Sequence, residues 1–460
     1  MQRKNKLLVV LLLLPLLMGV VLVDVVFATD NDESATSTVA TPVVSCTTKL
    51  QQLIEANTKK PYVTASMWLP STIDVDSMEM IDIKSPMAIN TTASYCKHNN
   101  DIDEPIVEYD SVVIGQMPQM NEQQALQVLQ TANTAWDKGT GIWTTQYTTV
   151  QRIEAVYKVL NELQTSSKRE EIIQVLQWEI GKNYIDAAAE FDRTIQFAKQ
   201  IMNHIVTHPE FMGGKHQFTD YQPQEVGGGG GVAGGTPASS SMALTSTSSY
   251  TAYTKRTPIG IILMLAPYNY PINECYATLI PALLLGNICI VKIPSVGGLA
   301  HLLTIEAFAK WLPHGAINFI AGSGAKVLPT ILQTGDIHGL AMIGSSKSAD
   351  QLIRYHTQPH RLKTFLQLGA KNVGIVLPDV FHGVTEQKGT TIFKNMITES
   401  ILGSLSFNGQ RCTALKIFFV PKQHADLFVR KFSKAVESLN VGLPWQNHTS
   451  TKKKAVCTPR

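Results

Sequence analysis

The sequence predicts an α/β protein built on a parallel sheet that helices cover on both faces. Continuous apolar runs alternate with helical patterns from Pro258 onward. Three further helical patterns lie upstream, separated from this alternation by a glycine- and serine-rich stretch. Strands that are buried on both faces are continuously apolar, whereas half-exposed strands alternate apolar and polar residues. The alternation of such runs with helices therefore favours a parallel sheet, which typically binds nucleotides at the carboxyl ends of its strands.

The upstream half is predicted to be mainly helical. A short apolar run at residues 111–115 (SVVIG) is a candidate strand. Asn121, followed three positions later by Gln124, has the pattern of a capping box and begins a helix that runs to about Lys138. Apolar residues at helical spacing predict two more helices, over residues 149–164 and 168–204, with a break in the second at Gly181.

Two segments lack the patterns of regular structure. Residues 30–105 are rich in Ser, Thr and acidic groups, and we expect them to be poorly ordered apart from one or two strands. Residues 213–250 contain a run of five glycines followed by Ser/Thr-rich stretches, and no apolar period is present. This composition is typical of a flexible insertion.

The alternating part follows the insertion. Four strands are predicted at residues 259–265, 287–293, 317–320 and 338–343. Three helices are predicted between them at residues 274–285, 299–311 and 325–333. Helices that connect successive strands of one parallel sheet cover both of its faces.

Composition excludes several classes of protein. The 460 residues suffice for two or three domains, and 44% hydrophobic with 16% charged residues suits a globular chain. A net charge of +3 gives no reason to expect a nucleic-acid partner. The six cysteines include no CxxC pair and no accompanying His cluster, so we predict no metal site.

The first thirty residues predict targeting rather than folding. Three basic residues precede an apolar run from Leu7 to Val23, and residues 26–28 (VFA) offer small residues of the kind that signal peptidases prefer. Residues 1–29 are therefore predicted to be a signal peptide, or an uncleaved anchor that tethers the chain to a membrane. We expect passage into the secretory pathway and the ER lumen, a membrane-anchored form or onward transfer to a complex plastid. The chain would be cytoplasmic if the leader does not function.

Four segments carry residues suited to chemistry. Asn269 lies between two prolines in APYNYP after a predicted strand, where its amide could donate to an oxyanion or simply satisfy its own loop. Lys292 ends the next strand and could hold a nucleotide or be a surface lysine. Gln367 precedes the glycine-containing segment 369–372. Cys412 follows Arg411 in GQRC, where a cation and backbone amides could favour the thiolate, although a lone Cys is more often a buried hydrophobe.

Together, and in this order, these segments resemble the aldehyde dehydrogenase superfamily over about residues 106–445. APYNYPIN, GNICIVKIPS and GQRCTALK are most similar to the non-phosphorylating, NADP-dependent glyceraldehyde-3-phosphate dehydrogenases. The resemblance implies a Rossmann-like cofactor domain followed by an incomplete α/β catalytic domain. The implied domains are residues 106–365 for NAD(P) binding and 366–445 for part of the catalytic domain, with an unrelated tail at 446–460.

The resemblance also implies roles for individual residues. Cys412 would attack the aldehyde as a thiolate, Asn269 and the Cys412 backbone amide would hold the oxyanion, and hydride transfer to the cofactor would leave a thioester. The residues implied to bind the cofactor are Lys292, Ser295, Gly344, Ser345 and Leu368. Those implied to bind a substrate phosphate are Arg193, Tyr270 and Arg411. NADP is expected rather than NAD, because Ser295 replaces a Glu that would repel the 2′-phosphate.

The chain departs from the family pattern at several positions. Gln367 stands where hydrolytic members carry a Glu that activates water, and Ala349 and Ala370 replace glycines. LGAKNVGIVLPD is also similar to CoA-acylating semialdehyde dehydrogenases, which lack that Glu. After residue 445 the match stops before the family's later cofactor-binding Glu and its oligomerisation strand. Three hypotheses stay open: an NADP-linked aldehyde dehydrogenase with weak or no turnover, a CoA-acylating enzyme, and an inactive remnant of a homo-oligomeric family.

Overall fold

The computed structural model describes residues 111–208, 256–385 and 388–441 without a break. It also describes the shorter pieces 7–13, 24–25, 78–89, 96–99, 102–107, 215–217, 251–253 and 456–457, with the single residues 211 and 444. Most of the predicted leader at 1–29 and most of the predicted insertion at 213–250 lie outside the described residues.

The strands and helices are numbered separately in chain order. The strands are β1 (Leu7–Leu13), β2 (Asp24–Val25), β3 (Met80–Ile89), β4 (Cys96–Asn99), β5 (Ile102–Val107), β6 (Ser111–Pro118), β7 (Lys215–Gln217), β8 (Thr251–Tyr253), β9 (Ile261–Leu265), β10 (Ile288–Lys292), β11 (Ile317–Ile320), β12 (Gly339–Ile343), β13 (Lys363–Gln367), β14 (Asn372–Ile375), β15 (Leu415–Pro421), β16 (Asn440–Val441) and β17 (Val456–Cys457).

The α-helices are α1 (Glu122–Trp136), α2 (Ile142–Thr145), α3 (Thr149–Leu163), α4 (Ser166–Ile180), α5 (Tyr184–Thr207), α6 (Pro271–Leu284), α7 (Leu299–Trp311), α8 (Gly324–Gln333), α9 (Ser346–Tyr355), α10 (Thr391–Leu405) and α11 (Ala425–Glu437). In the part of the chain that the structure describes, no helix combines the length and apolarity needed to cross a membrane.

The predicted parallel sheet is confirmed. Its five strands lie in the order β11-β10-β9-β12-β13, and every neighbouring pair is parallel. The chain moves outward from β9 through β10 to β11 and then crosses to the other side of β9 for β12. The crevice between β9 and β12 is therefore a switch point, where open α/β sheets bind ligands at the carboxyl ends of their strands.

The helical predictions are confirmed to within a few residues. Asn121 and Gln124 form the predicted capping box at the start of α1. The predicted long helix is broken at Gly181, which ends α4 with φ +75°, and α5 begins three residues later. Glycine adopts this left-handed conformation without the steric cost that a Cβ would bring, which explains the position of the break.

The ordered structure begins upstream of residue 106. β3 pairs antiparallel with β6, and Met78 and Ile83 are buried in the same core as the central sheet. The apolar run near the chain start also contributes a strand, because β1 pairs antiparallel with β15. The leader over residues 1–29 stays a prediction.

The buried apolar residues form two separate cores. The larger core contains the five-stranded sheet, the helices around it and Phe407. The smaller core lies between β14, β15, α10 and α11, and includes Val376, Phe418 and Phe428. β13 ends the first sheet at Gln367, and β14 begins the second only five residues later. The junction between the two cores is therefore short, and the candidate site lies there.

Candidate active site

Cys412 lies in a tight loop between the 3-10 turn Ser406–Gly409 and strand β15. Phe407 and Asn408 have positive φ angles of 51° and 54°, a left-handed conformation that is uncommon for residues other than glycine. The Asn372 side chain fixes the loop from β14, because its Nδ2 donates to the Cys412 carbonyl oxygen at 2.5 Å and to Ala414 O at 3.2 Å. Strained backbone of this kind persists where surrounding contacts determine it, and it is common at functional sites.

The Cys412 thiol has a polar and cationic environment. Gln367, at the end of β13, directs its Nε2 to Cys412 Sγ at 3.7 Å. Lys416 Nζ donates to Gly409 O at 3.0 Å and interacts electrostatically with Cys412. Burial and the neighbouring Lys371 both lower the pKa of Lys416, whereas Cys412 raises it. The Cys412 thiol therefore has an amide donor and an ammonium group among its neighbours.

Asn269 reaches the cysteine loop from the other side of the junction. The residue follows β9, and its Nδ2 donates to Gln410 O at 2.8 Å, two residues before Cys412. The structure thus brings the Asn269 side chain to the loop that contains Cys412 and the Gln367 side chain to the thiol itself, although the three residues are far apart in the sequence. An amide donor near a thiol is the arrangement required to stabilise an oxyanion formed by thiolate attack.

A buried charge cluster supports the loop that contains Asn269. Lys182 is fully buried and forms an ion pair with Glu190. Glu190 Oε1 in turn accepts the backbone N–H groups of Ile272 and Asn273, each at 3.2 Å. The Lys182 ammonium lies 3.5 Å from the centre of the Tyr270 ring. These contacts connect α5 to the first turn of α6, directly after Asn269 and Tyr270.

Two of the predicted phosphate-binding residues, Arg193 and Arg411, lie within electrostatic range of the third, Tyr270. Burial raises the pKa of Tyr270 to about 12, and the positive charges of Arg411 and Arg193 oppose that shift. Arg193 is exposed on α5, and Arg411 is half-buried beside Cys412. Two guanidinium groups and a phenol at one place can bind an anionic group on a substrate.

The predicted cofactor residues lie along the carboxyl edge of the sheet. Lys292 ends β10, is buried, and has its pKa lowered to about 8 by that burial. Ser345 caps the N-terminus of α9 by accepting the Ser348 N–H at 3.1 Å, and Gly344 N donates to Gln367 O at 3.1 Å. Ser295 is exposed in the loop after β10.

The remaining predicted cofactor residue, Leu368, follows β13 and packs against the larger core. Ala349, which replaces a family glycine, is fully buried in α9.

Metal ligation has no support in the described part of the chain, where no group of three or more His, Cys, Asp or Glu side chains could hold an ion. Cys275, Cys289 and Cys412 are free thiols; the first two are buried, whereas Cys412 is partly exposed.

The five-stranded parallel sheet places the chain in the class of α/β proteins that bind nucleotides at the carboxyl edge of such a sheet. Comparison with known proteins identifies the family. The family model described as "Aldehyde dehydrogenase family" matches residues 97–452, and the chain belongs to that family. Over 299 residues it is 31% identical to the NADP-dependent glyceraldehyde-3-phosphate dehydrogenase of Streptococcus equinus, covering 65% of this chain and 54% of the relative. It is also 31% identical over 186 residues to the protein of the same name from Scenedesmus vacuolatus, covering 40% of this chain and 73% of that relative.

Solved structures show the same fold. The NADP-dependent glyceraldehyde-3-phosphate dehydrogenase of Bacillus halodurans, solved with NADP, matches with a TM-score of 0.59 at 21% identity over 83% of this chain and 66% of that chain. The betaine aldehyde dehydrogenase of Staphylococcus aureus, solved with NAD+, matches with a TM-score of 0.61 at 16% identity over 86% and 64%. The chain thus spans about half the length of the streptococcal relative, at 54%, and less than two thirds of the staphylococcal structure, at 64%.

Several residues around the site were missed by sequence reasoning. Asn372 was noted only as part of a segment, and Lys416 had no assigned role, although it lies four positions after Cys412. No motif in the sequence marks Lys182 or Glu190, and Glu274 is the first residue of the helix predicted at residues 274–285. A single charged residue in an apolar helix was the one available signal for Glu274.

Proposed function

We propose that this chain catalyses the NADP-dependent oxidation of an aldehyde through a thioester on Cys412. The observation that carries the proposal is the convergence of Asn269 and Gln367 on the Cys412 loop, with contacts of 2.8 Å to Gln410 O and 3.7 Å to Cys412 Sγ. The family membership and the NADP-dependent relatives support the same reaction.

The residues of the site can perform the first half-reaction. The Cys412 thiolate attacks the aldehyde carbon and forms a C–S bond. The carbonyl oxygen becomes an oxyanion, which the Asn269 amide stabilises after exchanging its present acceptor, Gln410 O. A bound NADP would supply the hydride acceptor for the hemithioacetal carbon, and Cys412 would then carry the acyl group as a thioester.

The carboxyl edge of the sheet fits a dinucleotide. The first turn of α9 presents backbone N–H groups at the β12 end, which is a suitable place for a pyrophosphate. Lys292 at the end of β10 offers a donor for a ribose hydroxyl. Ser295 places no carboxylate near a 2′-phosphate, so the donor set favours NADP over NAD.

The substrate is proposed to be a phosphorylated aldehyde such as glyceraldehyde 3-phosphate. Arg193, Tyr270 and Arg411 supply two positive charges and a hydroxyl close to the cysteine loop. Both relatives described above carry the name of a glyceraldehyde-3-phosphate dehydrogenase.

A second candidate is transfer of the acyl group to a thiol such as CoA. The contact between Gln367 and Cys412 Sγ favours it, because an amide at this position cannot accept a proton from water at neutral pH.

The proposed function is tested with the full chain, NADP and glyceraldehyde 3-phosphate. We expect reduced cofactor to form in wild type, and at least about a hundredfold less with Asn269→Ala because an oxyanion donor is lost. Cys412→Ala should form no reduced cofactor. In wild type, iodoacetamide should alkylate Cys412 before the buried Cys275 and Cys289. Absence of cofactor reduction with this and other short aldehydes would remove the proposal.

A further inference from the structure

A cavity of about 280 Å³ lies between α6 and the carboxyl ends of β9, β12 and β13. Gln367 forms part of its wall and also contacts Cys412 Sγ at 3.7 Å, so a single side chain connects the cavity to the thiol. Most of the lining is apolar and includes Met264, Ala341 and Phe365. Glu274 is the only carboxyl among the residues that line it.

Glu274 lies in the first turn of α6 and forms part of the cavity wall opposite the sheet. Its carboxyl is half-buried and accepts one long hydrogen bond, from Asn273 Nδ2 at 3.4 Å. No cation lies within ion-pair distance of it in the described part of the chain. Such a carboxylate retains acceptor capacity for a water molecule in the cavity.

The charges around Glu274 tune its basicity. Burial raises the pKa of Glu274, and the Glu190 carboxylate raises it further, whereas the Asn273 hydrogen bond, Arg193 and Lys182 lower it. The net effect of these groups on the pKa is upward. A carboxylate with a raised pKa is a stronger base at neutral pH, as hydrolytic catalysis requires.

We propose that Glu274 is the general base for hydrolysis of the Cys412 thioester, in place of the carboxylate that Gln367 lacks. This inference rests on the proposed function. Glu274 takes a proton from a cavity water as the water oxygen forms a bond to the thioester carbon. The tetrahedral oxyanion then collapses, the C–S bond breaks, and its electron pair returns to Cys412 as a thiolate. The acid leaves, and Glu274 releases its proton to solvent.

Gln367 has a separate part in this step. Its Nε2 directs a hydrogen towards Cys412 Sγ, and a donor at this position stabilises the sulfur as it gains negative charge. One side chain therefore assists departure of the thiolate while Glu274 activates the water. The proposed proton acceptor, Glu274, therefore lies on α6. The family pattern would instead place a carboxylate on β13, at the position of Gln367.

The test separates acylation from hydrolysis in the full 460-residue chain. Wild type, Glu274→Gln and a matched control, Glu154→Gln on the exposed face of α3, are mixed with NADP and glyceraldehyde 3-phosphate. Rapid mixing measures the first turnover of cofactor reduction, and intact mass measures the acyl group on Cys412. The steady-state rate then reports hydrolysis.

We expect Glu274→Gln to keep the first turnover, to accumulate acyl-enzyme and to lose about a hundredfold or more in steady-state rate. Hydroxylamine, which needs no general base, should restore turnover, and Glu154→Gln should match wild type. A steady-state rate for Glu274→Gln within about threefold of wild type, with the first turnover intact, would overturn the inference.

Failure of the proposed function gives a different result, because wild type itself would show no first turnover.

A folding defect is controlled by a second variant, Glu274→Ala, in which added acetate can occupy the vacated carboxylate position. Restoration of the steady-state rate by acetate supports Glu274 as the base. Its absence, in a variant that melts like wild type and keeps the first turnover, contradicts that role.

Discussion

Lys182 illustrates how a single buried side chain can set the geometry of the site. Its ammonium pairs with Glu190 and lies over two aromatic rings, 3.5 Å from the Tyr270 centroid and 4.7 Å from the Phe407 centroid. Tyr270 follows Asn269, the proposed oxyanion donor, and Phe407 belongs to the turn before Cys412. One cation therefore contacts both the loop that contains Asn269 and the turn that precedes Cys412.

Replacing Lys182 with Met should destabilise the protein strongly. The substitution leaves the Glu190 carboxylate buried without its cation, which typically costs about 3–5 kcal/mol. Urea unfolding measures the change, and the double variant Lys182→Met with Glu190→Gln should lose less than the two single changes added together. A loss below about 1 kcal/mol in Lys182→Met would contradict this account of the ion pair.

The affinity for NADP should depend on pH through Lys292. Burial lowers the pKa of Lys292 to about 8, so its ammonium is present below that pH and is lost as the pH rises through it. If the charged donor is needed, the Kd for NADP should increase about tenfold between roughly pH 7 and pH 9. Calorimetric titration checks this, and Lys292→Arg should flatten the dependence because Arg stays charged. A flat wild-type profile would show that Lys292 does not bind the cofactor as a cation.

Individual site residues were predictable only where a motif surrounds them. Asn269 between prolines and Cys412 in GQRC could be found from the sequence because their neighbours form a recognisable pattern. Glu274 and Lys182 could not, because their importance depends on partners that only the fold brings near. The position of Gln367 in the cavity wall depends on the pairing of β13 with β12, which the sequence does not specify.

Among the elements, α4 and α7 are joined by a buried carboxylate. Glu179 on α4 is fully buried and accepts the backbone N–H groups of Gly297, Gly298 and Leu299 at 2.8, 2.9 and 3.1 Å. These are the amides at the start of α7, which have no partner within the helix. The carboxylate thus satisfies the N-terminus of α7 and links it to a helix more than a hundred residues away in the sequence.

The stability of this link should decrease as the pH rises towards neutral. Burial raises the pKa of Glu179 to about 7, and the three backbone hydrogen bonds only partly oppose it. Between the ordinary value of 4.5 and about 7, the native state holds a proton that the unfolded state has lost. Stability therefore falls with increasing pH across this window, by about 1.4 kcal/mol per unit at most.

Thermal melting at several pH values measures this contribution. Glu179→Gln cannot titrate at this position. The Tm of wild type should therefore fall steadily relative to the Tm of the variant as the pH rises from 5 to 7. Parallel Tm profiles for the two proteins would mean that Glu179 keeps the same charge in both states across that range.

The ends of regular elements were predictable where the local chemistry specifies them. The capping box of Asn121 and the left-handed Gly181 define helix ends that need no tertiary contact. The upstream strand β3 was harder to predict, because its pairing with β6 depends on partners outside the segment. The start of α6 at Pro271, three residues before the predicted start, follows from proline's suitability for the first turn of a helix.

At the scale of the whole molecule, β14 presents an apolar face to solvent. Val373, Ile375 and Leu377 alternate along the strand and its extension, with exposed fractions of 42%, 71% and 61%. β14 is an edge of its sheet, so unpaired backbone groups lie beside these side chains. Phe365 on β13, also at the edge of its sheet, is exposed as well. An exposed apolar edge strand favours association with other chains.

Polar substitution of this face should reduce self-association without lowering stability. In Ile375→Thr with Leu377→Thr, both positions keep a residue that suits a strand but lose exposed apolar surface, so the free energy of unfolding should stay within about 0.5 kcal/mol of wild type. Sedimentation velocity over a range of concentrations should show fewer large species than wild type. Val376→Thr is the matched control, because Val376 lies between them but faces the smaller core. That variant should unfold more easily while associating at least as strongly. If the double variant associates as strongly as wild type, another surface drives association and the β14 face has no part in it.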